Sequence, residues 1–537
     1  MATTPSIAMI PSGYKDEKVY SVLPTNGDGD FTFARTSTAT RVNSNGLIEE
    51  VGINKPRLDY SDGACPSLLL EPTSTNKIQY SEEFANGYWT KNNSSVQGDP
   101  STEGTEEVTN GDFATDSDWT KSAGVTIGGS ICTFLAVAST GSVRQAVAAT
   151  TAGKMFKVEY EVLSLSAGAF NVTMNGQVNQ GTNATTIGIH TDYIVAPSLT
   201  TTTFGISAVS TTTGSIDNLS VKEVQGFVSP SGDTSAFKVN GNSVVDNSGL
   251  STFFTITAGV QSYSIFAKKG EINILQVGFG GTFGDSYANV NLTNGVVEVE
   301  SGQTTTVSEF SNGWYRITSV ATATAGSGYW FLNITDDPSM GRNGDYIGNG
   351  TDGLYLFGAQ TEQQSYATSY IKNEGDANGI TRAADSANGS GDATVINSTE
   401  GTLYFEGSAL ADEVLDRRIS LSDGTLNNYV SIGYSRFTGS IVGEIYSGGV
   451  LQNTNWGAQG ITQANNNKFA LSWGGGTMKF YLNGTETNTE SATSPIGMDS
   501  LDFTAGDSSQ PMFSNTKDLR VYTTALSNEE LETLTTI

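Results

Sequence analysis

Histidine is almost absent from this chain: His190 stands alone among 537 residues. One imidazole cannot build a histidine-based metal cluster, and a Ser-His-Asp triad resting on it would need unusual luck of placement. A lone histidine in a strand or turn reads more simply as structural. Cysteine is nearly as scarce. Cys65 and Cys132 fall in different expected modules and show no metal-ligand spacing, which argues against a disulfide framework. Positive charge is short as well, with 27 Lys and Arg against 55 Asp and Glu, a formal net charge of −28. Such a surface repels nucleic-acid phosphates and anionic membranes, so neither is an expected partner. No apolar run is long enough to insert in a bilayer, and Met1 to Tyr20 lacks the apolar centre of a secretory signal. Export by another route is expected.

What the chain does have is glycine, 62 residues of it, with abundant Thr, Ser and Asn and only 15% charged residues. Threonine and aromatics favour strands, while Gly and Asn supply turns. Short bursts such as Phe253–Ile256, Tyr263–Ala267 and Lys479–Leu482 have strand length. The fold class is all-β, in several antiparallel β-sandwiches.

Internal repeats set their order. Glu83-Phe84-Ala85 leads to Trp89-Thr90-Lys91, and Asp112-Phe113-Ala114 leads to Trp119-Thr120-Lys121. Thr151-Ala152-Gly153 precedes an alternating strand (Phe156, Val158, Tyr160, Val162), as Thr257-Ala258-Gly259 precedes Tyr263, Ile265 and Ala267. Closing strands recur at Ile216–Glu223 and Thr351–Gly358. The two openings lie only about thirty residues apart, too close for a complete sandwich between them. Nesting resolves this: a module at 104–226 sits in a loop of an outer module made of 81–103 and 227–375. Residues 1–80 read as a small β-rich docking domain and 376–400 as a polar linker. A last sandwich spans 401–537, with an Asn483-Gly484 hairpin turn and a terminal helical turn capped by Ser527.

Several stretches resemble known proteins. Ala39–Glu49, Pro56–Tyr60 and Cys65–Pro72 resemble an N-terminal segment of bacteriophage virion-associated proteins, as do Leu356–Gln360, Ser369–Ile371 and Thr381–Asp385. The nested modules are similar to carbohydrate-binding-module jelly rolls. The C-terminal module, ending Val521–Leu531, is similar to concanavalin-like and laminin-G-like sandwiches. The resemblance implies a virion-surface fibre, spike or other appendage, released by lysis, that adsorbs to host cell-surface glycans. It also implies a homotrimer that meets other virion proteins through its N-terminal domain. The rival reading is a purely structural virion decoration protein without ligand. A polysaccharide-degrading enzyme is the third, since paired carboxylates such as Asp336-Asp337 and Asp412-Glu413 are the one available chemistry. With so many acidic residues their adjacency says little, and no enzyme activity is expected.

Sugars bind where an exposed aromatic packs on a pyranose face and amides bond its hydroxyls. Trp89, Trp119, Trp314, Trp330 and Trp473 sit in strand patterns and read as core. Trp456 stands in a polar stretch with Asn453 and Asn455, expected as a loop, and is the candidate glycan platform or else a local packing anchor. The jelly-roll resemblance further implies a structural calcium ion held by Asn110, Asp112 and Asp217, with Asp352 as the outer module's counterpart. The competing reading is that Asp217 and Asp352 cap turns.

Overall fold

The computed structural model describes residues 3–147, 155–174, 181, 183–195, 203–437, 439–458 and 460–537; Thr151, Ala152 and Gly153 of the repeated turn lie outside them. Strands dominate, and the long helix-free stretches follow from period-two burial. In Gly259–Lys269, Tyr263, Ile265 and Ala267 join one core while Phe266 faces the other way into a second cluster.

Two six-stranded antiparallel sheets form one sandwich. The first runs, in spatial order, Thr90–Asn92, Gly249–Ile256, Gly326–Thr335, Ile274–Gly281, Ser286–Asn291 and Val296–Ser301. The second runs Ser94–Gln97, Phe237–Gly241, Gly353–Glu362, Gly259–Lys269, Trp314–Ala323 and Thr304–Glu309. Residues 90–97 therefore supply an edge strand to each sheet, pairing with partners some 150 residues later. Between them the chain makes a second sandwich. Its larger sheet centres on Met155–Ala167 and Thr212–Gln225, its smaller one on Ser142–Ala146 and Thr203–Ala208. Phe134, Phe156, Tyr160, Phe170 and Phe204 fill the space between.

The C-terminal sandwich departs from expectation at its edge. Its larger sheet continues past Ser514–Tyr522 into Ser67–Leu70 and Leu58–Asp59, and Ile7–Met9 also pairs with Ser514–Tyr522. Ile7, Met9, Phe31, Phe33, Leu68 and Leu70 share one core with Leu403, Phe469, Trp473 and Leu519. Residues 1–80 are thus not a separate small domain. Their apolar side chains are too few to close a core alone and complete this one instead. The stretch 376–400 is likewise no linker. Ile380–Arg382 pairs with Ser74–Asn76, and Ser386–Asn388 pairs with Phe31–Ala34. At the far end, Asn483 and Gly484 both take positive φ (48° and 81°), the turn that joins Thr477–Leu482 to Thr485–Ser491. Ser527 and Glu530 close a capping box on the helix Asn528–Thr535.

A buried ionic network ties these parts together. Arg35 Nη1 lies 2.9 Å from Asp385, and Arg57 Nη1 lies 2.5 Å from Glu71. Arg57 also pairs with Asp385 and Arg382 with Glu71. All five side chains are buried. Glu71 further accepts from Ser369 N (2.7 Å) and Ser369 Oγ (2.6 Å), which reach it from the segment that follows the outer sandwich's last strand. Burial alone would raise the Glu71 pKa; Arg382, Arg57 and Ser369 outweigh it and hold the carboxyl well below the usual range.

Removing one partner strands a buried charge. Arg57→Met is expected to cost roughly 3–5 kcal/mol in denaturant unfolding followed by tryptophan fluorescence. Because Glu71 is depressed, its contribution is complete above its unfolded pKa of about 4 and is lost only as pH falls through the lower folded value. Glu71→Gln should therefore remove stability at neutral pH and flatten the acid limb; an Arg57→Met protein as stable as wild type would contradict the network's role.

Candidate functional site

The outer sandwich presents an aromatic surface on the face of its first sheet that turns away from the core. Trp330 and Leu332 point into the core, so alternation along Gly326–Thr335 sends Tyr329, Phe331 and Asn333 to the opposite face. Across the neighbouring strand, Gly280 is paired with Tyr329 and Gly278 with Phe331. A Cβ on Gly280 would meet the Tyr329 ring at 2.3 Å, and one on Gly278 would meet the Phe331 ring at 2.2 Å. The missing side chains let both rings lie against the sheet. On the other side Phe253, paired with Tyr329, is 62% exposed, its ring centroid 5.2 Å from that of Tyr329.

Arg342 completes the surface from the loop that follows the strand. Its guanidinium carbon stands 5.2 Å from the Phe331 centroid and 5.9 Å from that of Tyr329, within cation–π range. Nη2 donates to Tyr329 Oη and to the Phe279 carbonyl, each at 2.8 Å, and lies 3.3 Å from exposed Asp285. The loop itself is fastened by a row of fully buried amides. Gln276 Nε2 donates to Asn289 Oδ1 (2.8 Å) and the Gly341 carbonyl (3.0 Å), and Asn289 Nδ2 donates to the Met340 carbonyl (2.8 Å). Asn343 N donates back to Gln276 Oε1 at 2.8 Å, and Asn333 Nδ2 to Asn343 Oδ1 at 2.9 Å. Arg342 Nε and Asn333 Oδ1 are buried with no hydrogen-bond partner. Phe331, 2% exposed, and the amides lie beneath the loop, so what meets solvent is Phe253, the half-buried Tyr329 ring and Arg342. Open aromatic faces beside an arginine match the apolar C–H face and the hydroxyls of a pyranose.

Sequence reasoning missed Phe253, Tyr329 and Arg342. The usable signal was parity: once Trp330 is placed in the core, its neighbours must face out. The five tryptophans read as core are buried. Trp89 and Trp119 even make the same bond, Nε1 donating at 2.9 Å to the carbonyl nine residues earlier, Tyr80 and Asn110 respectively. Their rings meet Phe84 and Phe113 at 5.1 and 5.2 Å. His190 stacks on Tyr160 and bonds the Thr186 carbonyl at 2.8 Å.

Asn453, Asn455 and Trp456 lie in the edge strand Val450–Ala458, not in a loop, because that polar run continues the antiparallel ladder with Ser440–Ser447. The side chains of Asn455 and Trp456 fall outside the described residues, and Asn453 Nδ2 bonds the Ser491 carbonyl at 3.4 Å.

The expected calcium ligands do not converge as a set. Asn110 spends its side chain within its own loop, donating to the Thr115 (2.8 Å) and Ser117 (3.1 Å) carbonyls and accepting from Thr115 N (3.1 Å). Its amide thus gathers the carbonyls that a hard cation would need. Asp217 and Asp112 are neighbours: burial, then Glu161 and Asp112, push the Asp217 carboxyl up. Asp352 belongs to the other sandwich, where Thr351 Oγ1 donates to it at 3.3 Å. Among the described residues, no three His, Cys, Asp or Glu side chains group so as to hold a metal.

No protein-family model and no curated protein matches the chain. Among solved structures, the chain is similar to the sialidase CBM40 of Ruminococcus gnavus bound to α2,3-sialyllactose, at 18% identity over 28% of this chain and 93% of that one, TM-score 0.24. It is similar to the tandem CBM22 domains of Paenibacillus barcinonensis Xyn10C, at 8% identity over 49% and 99%, TM-score 0.20. It is also similar to the LG1–3 region of laminin α2, at 9% identity over 71% and 95%, TM-score 0.14.

Asn110→Gly keeps the positive φ of that position and deletes three hydrogen bonds, so the melting temperature should drop by the equivalent of about 1–3 kcal/mol. Adding a chelator to the wild-type chain should leave its melting temperature unchanged. A drop on chelation would show that an ion, not the Asn110 amide, holds this loop.

Proposed function

We propose that the chain binds glycan through Phe253, Tyr329 and Arg342 and performs no chemistry on it. The observation that carries this reading is the pair of rings open to solvent, Tyr329 laid down over Gly280 and exposed Phe253 beside it, edged by Arg342. Aromatic surface left in water without a partner serves recognition, and a rigid one costs little ordering on binding. The finer reading is a bacteriophage virion-surface appendage that adsorbs to host glycans. It is supported by the resemblance carried by 39–72 and 356–385. In that reading the chain acts as a homotrimer whose repeated weak sites add through effective concentration.

Surface polysaccharide from the host, titrated calorimetrically, tests this directly. Phe253→Ala removes an exposed ring, so it should weaken binding about tenfold, near 1.4 kcal/mol, without lowering the melting temperature. Excess soluble chain should compete with the phage for host cells. Polysaccharide binding unchanged by Phe253→Ala would contradict the platform, failure to bind or compete would favour a ligand-free decoration protein, and released oligosaccharide would make it an enzyme.

A further inference from the structure

The sheet that carries the platform is built almost without charge. Its four inner strands, Gly249–Ile256, Gly326–Thr335, Ile274–Gly281 and Ser286–Asn291, contain no Asp, Glu, Lys or Arg, in a chain with 55 acidic residues. Charge reaches the platform's face only from the margins. On the edge strands, Lys91 Nζ donates to the Ala85 and Asn86 carbonyls (2.8 and 2.5 Å), Glu298 accepts from Asn291 Nδ2 (2.9 Å) and Glu300 accepts from Thr305 N. Asp336, Asp337 and Asp345 flank the far end of the sheet, past Thr335, where Tyr346 pairs with Asp246. Thr335 itself lies about 20 Å along its strand from Tyr329.

Two charges stand at the platform itself, Arg342 and Asp285. Arg342 Nη2 lies 3.3 Å from Asp285 Oδ1, so the guanidinium already faces a carboxylate and the pair sums to zero. Each partner still has bonding capacity open to solvent. Nη2 spends its hydrogens on Tyr329 Oη and the Phe279 carbonyl, and Nε is buried, but Nη1 makes no hydrogen bond among the described residues and is not buried. The Asp285 side chain is 81% exposed and accepts no hydrogen bond among the described residues. A free N–H donor thus sits beside a free carboxylate acceptor, next to the open Tyr329 ring.

Two neighbouring hydroxyls of a sugar ring match that pair. One accepts from Nη1 and the other donates to Asp285, since a hydroxyl does either. An anionic sugar matches it poorly. Its carboxylate could approach Arg342 only by facing Asp285 as well, and a pair without net charge offers nothing to offset that like-charge contact. The formal −28 of the whole chain repels the same anion at longer range. Discrimination between ligands rests on what a site repels as much as on what it holds.

Given the glycan role proposed above, on which this rests, we infer that Asp285 sets the ligand class of the platform. It selects uncharged sugars that present two adjacent hydroxyls and turns acidic sugars away. Arg342 then serves as a hydrogen-bond donor to a hydroxyl, not as the counter-ion of a sugar carboxylate.

The probes are gluco-, manno-, galacto- and N-acetylgluco-hexaoses, each beside the same oligomer oxidised at C6 to its uronate, titrated calorimetrically into the full chain. The neutral member of a bound pair should bind at least about tenfold more tightly than its uronate. Asp285→Asn, at an exposed position and so without loss of melting temperature, should shrink that gap to about threefold or less. Raising the salt to about 1 M should shrink it in the wild-type chain, because exposed charges are screened. Phe253→Ala should weaken both members alike. Uronates bound as tightly as their neutral partners, with Phe253→Ala weakening both, would overturn the selectivity and leave the platform standing. A gap that Asp285→Asn leaves unchanged would overturn the role of Asp285. No oligomer bound, or binding indifferent to Phe253→Ala, would overturn the platform and the selectivity together.

Discussion

Five side chains hidden from water hold this molecule in register: Arg35, Arg57, Arg382, Glu71 and Asp385. Ions taken out of water lose several kcal/mol each, and only close, well-directed partners return it. The network therefore tolerates one arrangement of its contributing segments. Those segments come from the N-terminal strands, from the stretch after the outer sandwich and, through Ser369, from the sandwich's own last turn. Thr40 Oγ1, donating at 2.6 Å to the Tyr370 carbonyl, and Ser311 Oγ, donating at 2.9 Å to the Gly46 carbonyl, carry the same fastening across the hairpin. A string of sandwiches joined by loose linkers would swing; this one is locked at its centre.

That lock leaves two surfaces of the outer sandwich in different circumstances. The face of the second sheet is covered by the N-terminal hairpin, with Ile48 packed beside Phe266, Trp314 and Tyr370. The face of the first sheet is covered along its amide row and over Phe331, where the loop from Pro338 to Asn343 lies down on Gln276 and Asn289 and Arg342 packs on the Phe331 ring. Beyond the loop the rings of Tyr329 and Phe253 remain open. Glycines in the strand beneath make this possible, since any side chain at 278 or 280 would lift the rings off the sheet.

Much of this was legible from residue order alone. Short strands, the Asn483-Gly484 turn and the Ser527 cap all follow from local chemistry, and each is local in the structure. The errors were non-local. Ile7, Leu68 and Leu70 look like the makings of a small independent core until Leu403 and Leu519 are seen beside them. Arg382 and Asp385 sit in a stretch of Gly, Asn, Ser and Ala that reads as exposed linker, and only their partners 300 or more residues away make them interior. Polar composition suggested a loop around Trp456, yet an edge strand is also polar because one of its sides meets solvent. The platform escaped notice because its aromatics occur in strands, where a ring is ordinarily assigned to the core without asking which parity it holds.

The central claim is the proposal that Phe253 and Tyr329, the latter laid over Gly280, form a sugar-binding surface. Diffraction from crystals of the chain soaked with a panel of bacterial surface oligosaccharides tests it most directly. The account predicts a pyranose ring stacked on Phe253 and Tyr329 with a hydroxyl bonded to Arg342. Sugar density seated on another face, with these rings bare, would contradict it.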